Sequence, residues 1–427
     1  MLRKTLFSLL FLLLTLVLEA QDTITVMQYN LLEYGNFNSG WASCYESNNN
    51  TQEKDENIRK ILELVKPDIL TVNEFGASQE IQESFINHNL NINGVSYWKS
   101  DDIVNYANSN IINHIFYNSE KMKLTRHAVI RTSVRDLDAY ELMLKTDSPF
   151  VVDTIRLVCL VAHLKAGQSS TDESKRRSML QNAMYFIEEN YPTDNVLIMG
   201  DFNMYSSAES GYRLLTQNYP NNDILFVDPL SLVGGVGYWD NNWNYAPFHT
   251  QSTTASNDNP CRSSGGMDSR FDMILMSDEI YMGYHNVRYV NNSYRALGND
   301  GEHFNMSINQ GYNSSVSPDI ANALYAVSDH LPITMQLAVN AHLDVEDYED
   351  PSVLLQVRPN PFHNTLKLSG IPMEEVRVYN MQGQLIHSER CHNLSTVDMA
   401  LEGFASGMYL LSIITEKQLI NKKIIKE

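Results

Sequence analysis

Residues 195–203 read Asn-Val-Leu-Ile-Met-Gly-Asp-Phe-Asn, and this stretch decides how the rest of the chain is read. Val196 to Met199 is a short apolar run with the character of a buried strand. It stops at Gly200, and Asp201 and Asn203 follow two residues apart. Side chains two apart on extended backbone share a face, so a carboxylate and a carboxamide converge just past a strand end. Such a pair suits holding a metal-bound water beside a phosphate. Alone, the same residues also describe a turn, because Gly, Asp and Asn are turn formers. The other strand ends decide between the two.

Upstream, Ile24, Val26, Gln28 and Asn30 lie in a first strand, followed by an Asn-rich loop over 36–50. Ile58, Ile61, Leu62 and Val65 form a helical stripe. Pro67 and Asp68 end that helix, and a strand over 69–72 delivers Asn73 and Glu74. A polar helix is expected near 79–87, a strand over 111–117, and a buried strand over 155–162 that ends at His163. Thr171 or Asp172 caps a helix running to about Asn190. Downstream, 232–269 is rich in Gly, Asn and aromatics and too long for a mere connection. A strand over 271–276 carries Asp272, and Ser328-Asp329-His330 opens a last strand over 331–337. Strands alternating with helices make this an α/β protein.

At 427 residues the chain has room for two or three domains. A net charge of -20 speaks against tight nonspecific nucleic-acid binding. It leaves phosphate substrates open, because bound cations reverse the field of a carboxylate-lined site. Residues 1–20 read as a signal peptide: Arg3 and Lys4, an apolar run over 6–18, then Ala20. No other stretch is long and apolar enough to cross a bilayer. The acidic segment 341–350 reads as a linker, and 351–427 changes to short β-type segments, a small all-β sandwich domain.

Polar residues therefore recur at the ends of apolar strands: Asn30, Glu74, His163, Asp201 with Asn203, Asp272, and Asp329 with His330. Carboxylates gathered at one sheet edge repel and raise each other's pKa. A divalent cation with hard oxygen ligands removes that conflict, and Mg²⁺ suits carboxylates plus a substrate phosphate, with Mn²⁺ or Ca²⁺ as substitutes.

The segments Gln28-Tyr29-Asn30, Val72-Asn73-Glu74, Ala162-His163-Leu164-Lys165, Gly200-Asp201-Phe202-Asn203, Arg270-Phe271-Asp272 and Ser328-Asp329-His330 resemble, in order, the motifs of the endonuclease/exonuclease/phosphatase family. The resemblance implies a four-layered α/β sandwich of two packed sheets over 21–340. It departs at Asn73, where many members carry Gln. The family's deoxyribonucleases also support the equivalent of His163 with a Glu from a neighbouring strand. Around 110–114 only Asn110, Asn113 and His114 are found, which leaves room for other phosphoesters. The tail resembles the C-terminal sorting domain of the type IX secretion system of Bacteroidetes. It does so through Arg358-Pro359-Asn360-Pro361, Val376 to Gly383, Gly407-Met408-Tyr409-Leu410 and a basic end.

Roles follow from the resemblance. Glu74, with Asn30, holds the cation, and Asp329 ligates metal or supports Asn203. His330, oriented by Asp272, is the general base. Asp201 and Asn203 position the water, and His163 donates a hydrogen bond to the phosphoryl oxygens. Lys165 and Arg270 are candidate substrate contacts, as are Lys175 and Arg176, which equally suit a solvated helix face. Trp239, Trp243, Tyr245 and Phe248 stack a substrate or form the loop's own core. The expected activity is that of a secreted or surface-attached, monomeric phosphodiesterase, a nuclease above all. Phospholipid or sphingomyelin headgroups, small phosphate esters and a noncatalytic surface-binding role remain as alternatives. Cys159 reads as a buried thiol, and Cys44 with Cys261 as a candidate disulfide in polar loops.

Overall fold

The computed structural model describes residues 22–37, 43–145, 155–217, 224–233, 235–339, 355–380, 384–415 and 419–427. The expected leader at 1–20 and linker at 341–350 lie outside the described residues.

Two mixed sheets form the body. Strand β1 (Asp22–Tyr34) runs parallel to β2 (Ile69–Gly76), with Asn30 opposite Asn73. β3 (Trp98–Ser100) and β4 (Ile111–Asn118) extend that sheet beyond β2. The second sheet holds β5 (Met122–Ile130), β6 (Leu137–Leu144), β7 (Ile155–His163), β8 (Asn195–Asp201), β9 (Phe226–Val227) and β10 (Asp272–Ser277). Its order is β5-β6-β7-β8-β10-β9, with β7 and β8 parallel. The first sheet is completed by β11 (Val287–Tyr289), β12 (Arg295–Ala296) and β13 (Ile333–Val339), with β13 antiparallel to β1.

Side-chain alternation turns these sheets into layers. In β8, Leu197 and Met199 pack between the sheets against Ile24, Val26 and Ile69 of the first sheet. Their neighbours Val196 and Ile198 face outward with Met179, Leu180 and Ala183. The helices are α1 (Thr51–Val65), α2 (Gln79–Phe85), α3 (Ser170–Asn190), α4 (Ser210–Thr216), α5 (Asp278–Met282) and α6 (Pro318–Val327). α3 covers the second sheet, while α1 and α6 bury Met27, Tyr29 and Leu70 of the first. The result is the expected four-layered sandwich. The cap of α3 is Ser169, not Thr171 or Asp172, because its hydroxyl accepts the Asp172 N–H and donates to that residue's carboxylate.

Strand direction places the site. β1 and β2 run parallel, as do β7 and β8, while β10 and β13 start where β8 and β1 end. The tail is all-β: β14 (Gln356–Arg358), β15 (Thr365–Tyr379), β16 (Leu385–Ala400), β17 (Gly407–Ile414) and β18 (Leu419–Lys426) form one antiparallel sheet. It has its own core of Leu366, Leu368, Val376, Val378, Leu411 and Ile413.

Cys44 and Cys261 are bridged, with Cα atoms 4.5 Å apart, and the pair packs on Leu32. The bridge ties the loop after β1 to the loop before β10. Cys44→Ala with Cys261→Ala is expected to lower stability by about 2–5 kcal/mol, as native bridges do. Urea unfolding of the variant checks this, and an unchanged midpoint would show that the bridge carries no stability.

Candidate active site

His163, Asp201 and Asp272 end or begin three adjacent strands in one register row, His163 beside Asp201 and Asp201 beside Asp272. Gly200 lets that row close: its φ is +140°, and a Cβ there would lie 1.8 Å from the Ala162 carbonyl oxygen. Asn73 stitches the sheets together. Its Oδ1 accepts from Gln28 Nε2 at 2.7 Å and from the Asp201 N–H at 2.8 Å, and its Nδ2 donates to Asn113 at 2.8 Å. Strict alternation would turn Glu74 away from Asn73's face. A left-handed φ of 53° and register shifts in both flanking ladders turn it back, and Asn30 Nδ2 donates to its Oε1 at 3.1 Å. Asn203 is also left-handed, at φ 50°, and donates its N–H to Asp201 Oδ1 at 3.0 Å. Non-glycine residues held in this conformation cluster at functional sites.

Across the row, His330 Nδ1 lies 2.7 Å from Asp272 Oδ2, and both side chains are buried. Its Nε2 lies 2.7 Å from the Gln251 amide nitrogen, 3.4 Å from Asn30 Nδ2 and 3.8 Å from Asp201 Oδ2. Burial alone would depress this imidazole. The charge and hydrogen bond of Asp272, with Asp201 and Asp329, outweigh it and hold the pKa well above the ordinary value. Burial lifts Glu74 to about 7, helped by Asp329. Burial also lifts Asp201 to about 6 against the pull of His330. His163 is held well below its ordinary value by burial, then by Arg135 and His330.

These carboxylates fit a divalent cation. Ligand atoms of Glu74, Asp201 and His163 lie within 4.8 Å of one another. The Oδ1 atoms of Asp272 and Asp329 are buried without a hydrogen-bond partner. Hard oxygens crowded out of water under mutual repulsion are what Mg²⁺ relieves.

The structure brings together Asn30, Glu74, His163, Asp201, Asn203, Asp272 and His330, and corrects several details. Asn30, expected as a ligand, donates its Nδ2 to both Glu74 and Asp201 at 3.1 Å and gives its Oδ1 to the Leu32 N–H, so it positions carboxylates. Asp329 accepts from Ser263 N–H at 2.8 Å and Gln251 at 3.3 Å and leaves only Oδ1 unused. Arg270, expected at the substrate, is fully buried and pairs in two hydrogen bonds with Asp228. Arg176 is likewise spent on Glu209, and Lys165 on Ala166 O and Asp172. Trp239 is core, its indole donating to Met204 O, whereas Trp243 is 57% exposed. Sequence reasoning missed Arg135, whose guanidinium contacts His163 Nδ1, and Gln251. Neither sits at the end of an apolar strand, the signal that found the rest.

The sequence profile of the "Endonuclease/Exonuclease/phosphatase family" matches residues 27–330, a range that holds every one of these side chains. The chain belongs to that family. Residues 356–427 match the "Secretion system C-terminal sorting domain". No curated protein matches the chain in sequence. Among solved structures it is similar to humanized D. rerio TDP2 (14% identity, 74% of this chain and 99% of that one, TM-score 0.45). It is similar also to the human Nocturnin catalytic domain with bound sulfate (16%, 75% and 97%, 0.42) and to a family protein from Bacteroides vulgatus (12%, 75% and 100%, 0.46).

Two outcomes follow. Arg270→Met is expected to cost about 3–5 kcal/mol by stranding buried Asp228, and an unaltered unfolding midpoint with a raised KM would restore the substrate role. Glu74 and Asp201 titrate higher folded than unfolded, so the folded state binds more protons between about pH 4 and 7 and stability falls as pH rises through that window. Mg²⁺ should therefore raise the melting temperature more at pH 7.5 than at pH 5, and equal shifts at both would count against the carboxylate site.

Proposed function

We propose that this family member is an exported, divalent-cation-dependent phosphodiesterase acting on nucleic acid. The observation that carries the phosphodiesterase reading is the Asp272–His330 pair, buried and aimed at the Asp201 carboxylate, with Glu74 held alongside by Asn30.

Family members are phosphoester hydrolases, and each residue here has a place in such a reaction. Glu74 is the carboxylate assigned to the cation, with the unused Oδ1 of Asp329 also available. A cation held there would polarise a phosphoryl oxygen and offset the carboxylate field that raises the His330 pKa. In this reading His330 Nε2 takes a proton from the attacking water, and Asp272 at Nδ1 stabilises the imidazolium. Asp201 orients that water. Its own carboxylate is fixed from two sides, by the Asn203 N–H on Oδ1 and Asn30 on Oδ2. His163 Nε2, 3.5 Å from Asp201 and 3.8 Å from Glu74, supplies a hydrogen bond to phosphoryl oxygen as charge develops.

The sorting tail implies export, and outside the cell nucleic acid is an abundant phosphodiester; that supports the choice of substrate. Exposed Trp243 offers a ring for base stacking. Plasmid DNA, RNA, sphingomyelin and bis-p-nitrophenyl phosphate, each with Mg²⁺ or Mn²⁺, separate the substrate classes. Hydrolysis of sphingomyelin alone would move the assignment to a lipid headgroup, and inertness toward all four would leave a binding role. On the preferred substrate His330→Ala should lower kcat by about 10²–10⁴-fold, the usual worth of a general base, without change in fold by circular dichroism. Removal of 351–427 should leave that kcat intact and block export, since the tail has a separate core.

A further inference from the structure

Arg135 lies in the turn between β5 and β6, outside every strand-end motif. Thr132 Oγ1 accepts the Val134 and Arg135 N–H groups and donates to Arg135 O, which fixes the turn. The side chain reaches His163, and its Nη1 meets the imidazole at Nδ1. Among the described residues Arg135 forms no ion pair, although Asp136 and Asp138 line the same small cleft beside His163. Those two acids are engaged elsewhere: Asp136 accepts from the Ala107 N–H, and Asp138 from His127 and Asn113. Asn113, on β4, gives its oxygen to Asn73 and its amide to Asp138, Asp136 O and Val161 O.

A guanidinium has donors and no acceptor. The nitrogen it meets must therefore be the acceptor of the ring, and the single proton of the neutral imidazole must sit on Nε2. An Nε2–H has no lone pair for a cation. It also leaves Nδ1 with no acid behind it from which a donated proton could be replaced. We propose that Arg135 is the positioning residue that fixes His163 as an Nε2–H hydrogen-bond donor, outside the metal's coordination shell and outside proton transfer. Of the three clustered side chains Glu74, Asp201 and His163, only the carboxylates then serve a cation. In hydrolysis the water oxygen forms the new P–O bond and its proton passes to His330. The bond to the leaving oxygen breaks with its electron pair, and that oxygen takes its proton from solvent water, not from His163. The statements about turnover rest on the phosphodiesterase reading, whereas the tautomer and the metal shell do not.

Three measurements on the full mature protein test this. In two-bond ¹⁵N–¹H spectra, assigned with His163→Ala, His163 should show unprotonated Nδ1 and protonated Nε2; the reverse tautomer overturns the proposal. Mn²⁺ titration should give His163→Ala an affinity close to wild type and Glu74→Gln a weaker one. A loss of about ten-fold or more in His163→Ala, the size expected even from a residue behind a ligand, overturns it. With bis-p-nitrophenyl phosphate and a dithymidine phosphodiester, His163→Ala should lose a similar factor in kcat, about 10²–10³, on good and poor leaving groups alike. A much larger loss on the poor leaving group marks His163 as a proton donor and overturns the proposal. Arg135→Met should lower kcat by up to about 10²-fold through misplacement with little change in KM. Arg135→Gln, whose amide still donates to Nδ1, should recover most of it; equal loss in both variants overturns the positioning role. If wild type hydrolyses neither diester, the phosphodiesterase reading fails, while the spectra, repeated on Arg135→Met, and the Mn²⁺ titration still decide the tautomer, its dependence on Arg135 and the metal shell.

Discussion

Like charges held out of water are the constraint on which the candidate site depends. Glu74, Asp201, Asp272 and Asp329 meet where the two sheets share an edge, and the last three are almost wholly buried. Each is held by hydrogen bonds from neighbours with no freedom to turn away: Asn30 on two of them, backbone N–H groups on Asp201 and Asp329, and His330 on Asp272. The remaining imbalance is electrostatic and can be met only by a cation or by protons. Apolar packing holds the edge together. Leu197 and Met199 lock β8 onto the first sheet, and Asn73 closes the last gap through the Asp201 N–H. A site whose geometry is fixed by two rigid sheets needs little reorganisation as charge develops, which is where electrostatic catalysis gains most.

The strand-end residues were legible because a strand has a period of two and ends at a recognisable break. Val196 to Met199 followed by Gly-Asp-Phe-Asn specifies a buried strand and two converging side chains, and the register row across β7, β8 and β10 follows from strand direction alone. Glu74 was found from its company. Its orientation was not legible, since the left-handed turn that aims it contradicts simple alternation. Arg270 was misjudged for a related reason. It is two residues from Asp272, yet its partner Asp228 comes from a distant segment, and the stacked Trp239 completes a buried cluster that sequence spacing does not reveal. Arg135 left no sequence signal at all, because a turn residue at one sheet edge meets His163 only through the tertiary fold.

The Cys44–Cys261 bridge was legible from compartment and loop polarity, but its position has a consequence that sequence does not show. It packs on Leu32, next to the left-handed pair Leu32 and Glu33 that follows Asn30. Buried Lys54 donates to the carbonyls of Leu31 and Leu32 from the other side. The residue that positions two of the carboxylates is thus held by a disulfide, the buried Lys54 side chain and the sheet register together. Backbone in this conformation persists only where its surroundings over-determine it.

Substitution at a supporting position can change a reaction without touching the reacting atoms. An acid behind an imidazole accepts its Nδ1–H and makes it a proton carrier, the arrangement seen here at Asp272 and His330. An arginine behind an imidazole removes that proton and makes the ring a fixed donor, the arrangement at Arg135 and His163. The two histidines face the same carboxylate, Asp201, at 3.8 and 3.5 Å, yet their second nitrogens meet opposite charges. On the proposed reading one site holds a base and a donor built from the same side chain, and the difference is set by what stands behind each ring.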